Sequence, residues 1–156
     1  MSMIAMTIIM RRKNMISVKE LRIGNIVKDK DGNIWRIGCI TGMHKDKGSL
    51  ILERRIDNGT IKWYTSECDV YPISLNERIL DWIGFNDYDN HDYRNKGDIT
   101  ITKDYVLSIT RLWGNTVVKM DIKGFHHLQN IAYDLYETSL DLNIFDDDYP
   151  GDTSLV

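Results

Sequence analysis

Up to about residue 73 the chain reads as short apolar runs broken by turn residues. Beyond that point two helical spacings appear, separated by renewed alternation. Ile26-Val27, Ile34-Trp35-Arg36-Ile37, Leu50-Ile51-Leu52 and Ile61-Lys62-Trp63-Tyr64 are β-branched and aromatic runs of strand length. Asp31-Gly32 separates the first two and Asp57-Asn58-Gly59 the last two. Such dipeptides supply the positive φ angles that tight hairpin turns require. Lys45-Asp46-Lys47-Gly48 makes a looser turn between them. The pattern predicts four or five antiparallel strands over residues 21–73. A sheet of that length usually curls to hide its edges, so the expectation for residues 15–73 is an SH3-like small antiparallel β-barrel.

Pro72 ends this section and a helix follows, with Leu75, Ile79, Trp82 and Ile83 at helical spacing. Ser74-Leu75-Asn76-Glu77 fits a capping box, with Asn76 the alternative cap, and Gly84 stops the helix. Residues 86–96 are polar and turn-rich. Three strand candidates come next, Ile99–Thr102, Tyr105–Leu112 and Thr116–Ile122, joined by Lys103-Asp104 and Gly114-Asn115 as a meander. A last helix is expected from Phe125 to Leu140, burying Leu128, Ile131, Ala132 and Leu135. The class is therefore α+β: a barrel, then a helix–three-strand meander–helix unit over residues 74–140. The short, apolar connection at residues 66–74 argues for one core. Residues 141–156, with Asp146-Asp147-Asp148 and Pro150-Gly151, read as a disordered acidic tail. Residues 1–14 read as a flexible arm or an upstream extension, with an extra edge strand as the alternative. Met15-Ile16-Ser17-Val18 resembles a natural start, and Arg11-Arg12-Lys13 stands on the wrong side of the apolar run for a secretory signal.

The 156 residues suit one compact domain or two very small ones, and 42% hydrophobic with 28% charged residues is a globular composition. No apolar run approaches the roughly 20 residues that span a bilayer. The net charge of −3 hides an asymmetry: residues 1–70 carry 13 Lys+Arg against 8 Asp+Glu, residues 71–156 carry 7 against 15. Such a split can mark a basic binding face. Two distant cysteines, Cys39 and Cys68, make no metal knuckle and read as reduced thiols.

Candidate chemistry is sparse. His126, Gln129, Asn130 and Tyr133 fall at i, i+3, i+4 and i+7, so they share one helix face. A neutral histidine in a first helical turn could act as a general base, which makes His126 a weak catalytic candidate. Set against this, a His/Gln/Asn face at a helix start commonly bonds neighbouring loops. Trp35, Trp63, Tyr64 and Tyr71 are interleaved with Arg36, Arg54, Arg55 and Lys62, a composition that can stack bases and hold phosphates, or arise from a barrel with aromatics inside. Asp29-Lys30-Asp31-Gly32-Asn33 resembles the start of a calcium loop, but Ile34 stands where the glycine and Ile40 where the glutamate are required. Walker, dinucleotide, zincin and nucleophile-elbow motifs are missing from the sequence.

Glu20-Leu21-Arg22-Ile23-Gly24-Asn25, Asp31–Ile37, Tyr71–Glu77 running to Gly84-Phe85, and Ile122–Asn130 together resemble a family of small uncharacterised proteins of gut Bacteroidetes, their phages and mobile elements. The likeness covers residues 16–140. Ser74 departs from a frequent proline and His127 from a frequent glutamine. The resemblance implies the architecture and a mobile-element setting, but no activity.

The function expected is a non-enzymatic phage or prophage accessory protein in a bacterial cytoplasm, binding a protein partner. Nucleic-acid binding through Arg36, Arg54, Arg55, Lys62 and Trp63 is the first alternative, and a small enzyme centred on His126 the second. Gln129 and Asn130 join His126 as candidate binding residues. No cofactor, metal or membrane attachment is expected, and association through an edge strand is compatible with each reading.

Overall fold

A computed structural model describes residues 15–44, 47–56, 59–65, 69–88, 93–110, 116–145, 149 and 151. Its strands form two antiparallel meanders. The first sheet runs in the order β1 (Ile26–Lys28), β2 (Ile34–His44), β3 (Lys47–Ile56), β4 (Gly59–Thr65). The second runs β5 (Asn86–Tyr88), β6 (Tyr93–Lys96), β7 (Ile99–Thr102), β8 (Val106–Thr110), β9 (Thr116–Asp121). A 3-10 turn at Val18–Glu20 precedes β1. Helix α1 (Glu77–Trp82) joins the sheets and α2 (Phe125–Tyr136) follows the second. The chain is an α+β fold.

The β1–β2 turn is built by Asp29. One carboxylate oxygen accepts from the amides of Asp31 and Asn33 (2.9 Å each), the other from Asn33 Nδ2 (2.8 Å) and Trp35 Nε1 (3.0 Å). Burial alone would raise the Asp29 pKa, but these bonds outweigh it and hold the carboxyl below its usual range. The acidic cluster is an Asx-type hairpin turn whose central carboxylate is fully occupied. Lys47 and Gly48 are the opening residues of β3 rather than part of a loose turn.

Among the described residues no ladder joins β1 to β4, so this sheet is open where a closed barrel was expected. The outer edge of β1 is met instead by Tyr71: Lys28 N–H donates to Tyr71 O (3.1 Å) and Tyr71 N–H returns to Lys28 O (2.8 Å).

In the second half, Asn76 caps α1, its side chain accepting from Ile79 N–H (2.9 Å). Gly84 at φ +82° turns the chain out, and Phe85 N–H closes back on Leu80 O (2.9 Å). The meander then has five strands, not three, because the polar segment 86–96 supplies β5 and β6. No apolar alternation marks these strands. They are secured by charge: buried Arg94 pairs with Asp81 of α1, and Lys96 Nζ donates to Ile83 O (2.6 Å).

Helix α2 ends at Tyr136, four residues before the expected Leu140. Glu137 takes a left-handed conformation (φ 51°), and Thr138 N–H reaches back to Ala132 O (3.3 Å). Leu135, expected in the buried stripe, is 53% exposed. The core positions it would have filled are taken by the next segment, where Leu140, Leu142 and Ile144 are buried in alternation. Residues 141–145 are thus part of the fold rather than of an acidic tail. Trp82 Nε1 donates to Leu142 O (2.8 Å) and Arg55 to Phe145 O (2.7 Å). Asp146–Asp148, Cys68 and residues 1–14 lie outside the described residues.

Buried side chains form two clusters that meet at β1 and β2. Val27, Trp35 and Ile37 face one cluster, with Leu50, Leu52 and Val70. Their neighbours Ile26 and Ile34 face the other, which holds α1, α2 and the second sheet. Strands buried on both faces lose the simple inside–outside alternation, and β1–β2 is where the two halves join. No described helix is long and apolar enough to cross a membrane.

Candidate functional site

The N-terminus of α2 is seated by Gly124. Its φ of +155° and its packing leave no room for a side chain, since a Cβ there would fall 2.8 Å from Pro72 Cβ and 3.1 Å from Ile73 O. That close approach lets Phe125 N–H donate to Ile73 O (2.9 Å). Gly124 offers no side-chain cap. His127 Nδ1 accepts from Lys123 N–H (3.1 Å), which puts the proton of a neutral His127 on Nε2.

Gln129 and Asn130 reach the start of the chain. Gln129 Oε1 accepts from Ile26 N–H (2.8 Å), and its Nε2 donates to Leu140 O (2.7 Å) and Gly24 O (3.2 Å). Asn130 Oδ1 accepts from Asn25 Nδ2 (2.8 Å) while its Nδ2 donates to Glu20 O (2.9 Å). Asn25 Oδ1 in turn accepts from Arg22 N–H (2.8 Å). Two ion pairs flank these bonds, Arg22 with Asp134 and Glu20 with Lys123 (2.6 Å). Each lowers its carboxyl's pKa chiefly through the side-chain hydrogen bond. The segments 20–26 and 123–134 therefore form one latch, in which both amides are consumed by backbone and side-chain partners.

His126 lies within the same turn but outside the network. The ring is 2% exposed, and its Nδ1 is buried without a hydrogen-bond partner. Burial pushes its pKa down to about 4, with His127 and Lys123 adding to the effect and Glu20 opposing it. His126 is therefore neutral at physiological pH. Among the described residues no carboxylate, serine or cysteine hydrogen-bonds to it, so a charge-oriented general base is not assembled. Of the face expected from spacing, His126 and Gln129 are buried, Asn130 is half-buried, and Tyr133 is 58% exposed.

The basic aromatic residues do not share one face. Arg36 bonds Glu53 Oε1 through Nε and a terminal nitrogen (3.0 and 2.7 Å) and stacks over the Phe145 ring at 4.0 Å. Arg55, two residues on from Glu53 along β3, holds Phe145 O. Lys62 pairs in register with Glu53 and is exposed on this same side. Arg54 and Trp63 point to the opposite side, Arg54 over the Trp35 ring at 5.5 Å and Trp63 against Trp35 at 5.7 Å between centroids. Arg36 and Arg55 therefore clamp the 141–145 segment, and Trp63 covers the first core.

A cleft of about 680 Å³ opens beside α2, between residues 15–20, the Tyr71–Ser74 segment and the helix N-terminus. Lys28, Lys123 and His126 line it. Sequence reading singled out His126 here but not Lys28 or Glu20, which are 98 and more residues away along the chain. No family model, curated protein or solved structure matches this chain.

Proposed function

We propose that the protein is a non-enzymatic accessory protein of a phage or prophage, acting in a bacterial cytoplasm by binding a protein partner. The observation that carries this reading is an apolar surface held rigidly beside the latch. Ile23 is 68% exposed, yet its two neighbours are anchored to α2, Arg22 at Asp134 and Gly24 at Gln129. Tyr133, 58% exposed, lies one turn beyond Gln129 on α2. Tyr136, one turn on from Tyr133, is also exposed, while Leu135 is exposed on another face of the helix. Exposed aromatic and aliphatic side chains on a rigid frame are typical anchors of protein interfaces. The mobile-element setting is supported by the resemblance of the opening and closing segments. The SH3-like description of the first sheet belongs to this same reading, as an incomplete barrel whose β1 edge is met by Tyr71.

Nucleic-acid binding is the weaker reading, because Arg36 and Arg55 are engaged by Glu53 and Phe145 and the whole chain carries a net charge of −3.

Affinity capture from Bacteroidetes lysate, with and without nuclease, tests the proposal. The expected result is a nuclease-resistant protein partner retained by the wild type and lost by Ile23→Ser/Tyr133→Ala. A catch that vanishes with nuclease overturns the protein-partner reading. A catch unaffected by the double substitution removes this surface from it.

A further inference from the structure

We propose, resting on the protein-partner reading above, that the surface around Ile23 and Tyr133 takes a basic protein segment, one that carries lysine or arginine side chains next to an apolar anchor. The last turn of α2 holds Asp134 and no basic residue, and Glu137 follows it as the C-cap. A helix C-terminus already carries about half a negative charge, so acidic side chains there add to the field that a cation normally offsets. Asp134 is balanced by Arg22. Glu137 is exposed, and its carboxylate makes no hydrogen bond or ion pair among the described residues. The Asp141 carboxylate accepts there only from Asn143 N–H, at 3.1 Å. Two negative charges are thus left unbalanced.

Both border the apolar positions. Arg22 and Gly24, on either side of Ile23, bond Asp134 and Gln129, and the helical net places Tyr133 between those two helix residues. Glu137 N–H donates to Tyr133 O (2.9 Å), which sets Glu137 one turn beyond Tyr133. Asp141 and Ile23 line one small cavity of about 250 Å³, together with Ser139 and Leu140.

The cations of the first sheet are committed elsewhere. Arg36, on the sheet side of that cavity, bonds Glu53, and Arg55 bonds Phe145 O. Lys62 pairs with Glu53 on β4, two strand spacings or about 10 Å from Arg36, which exceeds a Debye length at physiological ionic strength. Carboxylates around an apolar anchor point repel nucleic-acid backbones and anionic membranes and attract a cationic protein segment. Covering Ile23 takes an aliphatic or aromatic side chain as well.

The test is a ¹H–¹⁵N NMR titration of the full chain with four short synthetic peptides. In three of them leucine and tryptophan alternate with lysine, with glutamate or with serine; the fourth alternates lysine with serine and has no apolar anchor. The lysine peptide with anchors is expected to shift the Ile23, Tyr133 and Glu137 amides saturably, with a Kd of about 1 mM or tighter. The glutamate peptide and the anchorless peptide should each bind about tenfold more weakly. The double variant Glu137→Gln/Asp141→Asn should weaken the lysine peptide about fivefold and leave the serine peptide with anchors unchanged. Glutamine loses no side-chain bond at 137, and asparagine keeps the acceptor for Asn143 N–H at 141. Equal affinity of the lysine, serine and glutamate peptides, or an undiminished affinity in the double variant, overturns the basic-partner inference while the apolar surface stands. Equal affinity of the anchorless peptide overturns it too, by making the attraction purely electrostatic. No saturable shift with any peptide overturns both the inference and the reading of this surface as a protein-binding one.

Discussion

The side chain of Gln129 takes the place of a neighbouring strand for Ile26. The Ile26 N–H leaves the outer edge of β1 and donates to Gln129 Oε1 at 2.8 Å, across 103 residues of chain. Inside β1, Ile26 is fully buried. An unpaired amide at that position would be costly, and the helix removes it. From its other end the same side chain donates to Gly24 O and Leu140 O. One glutamine thus fixes the entry to β1, the middle of α2 and the start of the 140–145 segment.

Gln129→Ala should therefore destabilise the protein by about 2–4 kcal/mol, since it strands a buried amide and two carbonyls. Gln129→Glu separates the roles. Its carboxylate still accepts from Ile26 N–H but faces two carbonyl oxygens, so its folded-state pKa rises above the unfolded value. A raised pKa means that stability is present at low pH and is lost as pH rises through the folded pKa. Urea denaturation should show Gln129→Glu closer to wild type at about pH 5 than at about pH 8. Equal deficits at both would show that the amide donors contribute little.

His126 gives a pH dependence of opposite sign. Its pKa is about 4 in the fold against 6.5 for a free histidine. The unfolded chain therefore takes up a proton first, and stability falls as pH drops from 6.5 towards 4. The loss amounts to about 3 kcal/mol across that window. His126→Phe should flatten the profile there. A wild-type stability that stays constant between these pH values would show that the ring is not buried as described.

Gly124→Ala should be among the most damaging single substitutions outside the apolar core. It places a Cβ 2.8 Å from Pro72 Cβ at a φ of +155°, combining a steric clash with backbone strain of about 1–3 kcal/mol. Thermal unfolding should register a large drop. Gly32→Ala is the control, having a φ of +87° and nothing within 4 Å of the added atom; it should be milder.

The Arg22–Asp134 pair stands at the solvent, each side chain about half exposed. A double-mutant cycle on Arg22→Ala and Asp134→Ala should yield a small coupling that shrinks with added salt. A coupling as large as the Gln129→Ala deficit, or one indifferent to salt, would place this pair at the centre of the latch.

Local chemistry made part of this fold legible. Asp31-Gly32 marked the first hairpin, Asn76 was recognised as a possible cap and Gly84 as a stop, because each acts through its own backbone within a few residues. The β5–β6 hairpin was invisible because Arg94 and Lys96 are held by Asp81 of α1 and by the O of its C-cap Ile83, partners that no periodicity reveals. Leu140, Leu142 and Ile144 did alternate in the sequence. Their burial depended on α2 stopping at Glu137, and the acidic residues that follow masked the pattern.

The same division applies to the site. The sequence alone determined that His126, Gln129 and Asn130 share a helix face, since 3.6 residues per turn require it. Residues 20–25 and 122–130 were two of the four stretches singled out in the sequence. Only the tertiary structure decided that these segments are each other's partners, because hydrogen bonds spanning more than 100 residues leave no trace in local spacing. It likewise decided that two candidate amides are hydrogen-bonded within the fold, that Arg36 and Arg55 engage Phe145 of the 141–145 segment, and that Lys28 comes to stand beside the start of α2. Charge and exposure at those positions follow from what packs against them, and packing is a property of the folded chain.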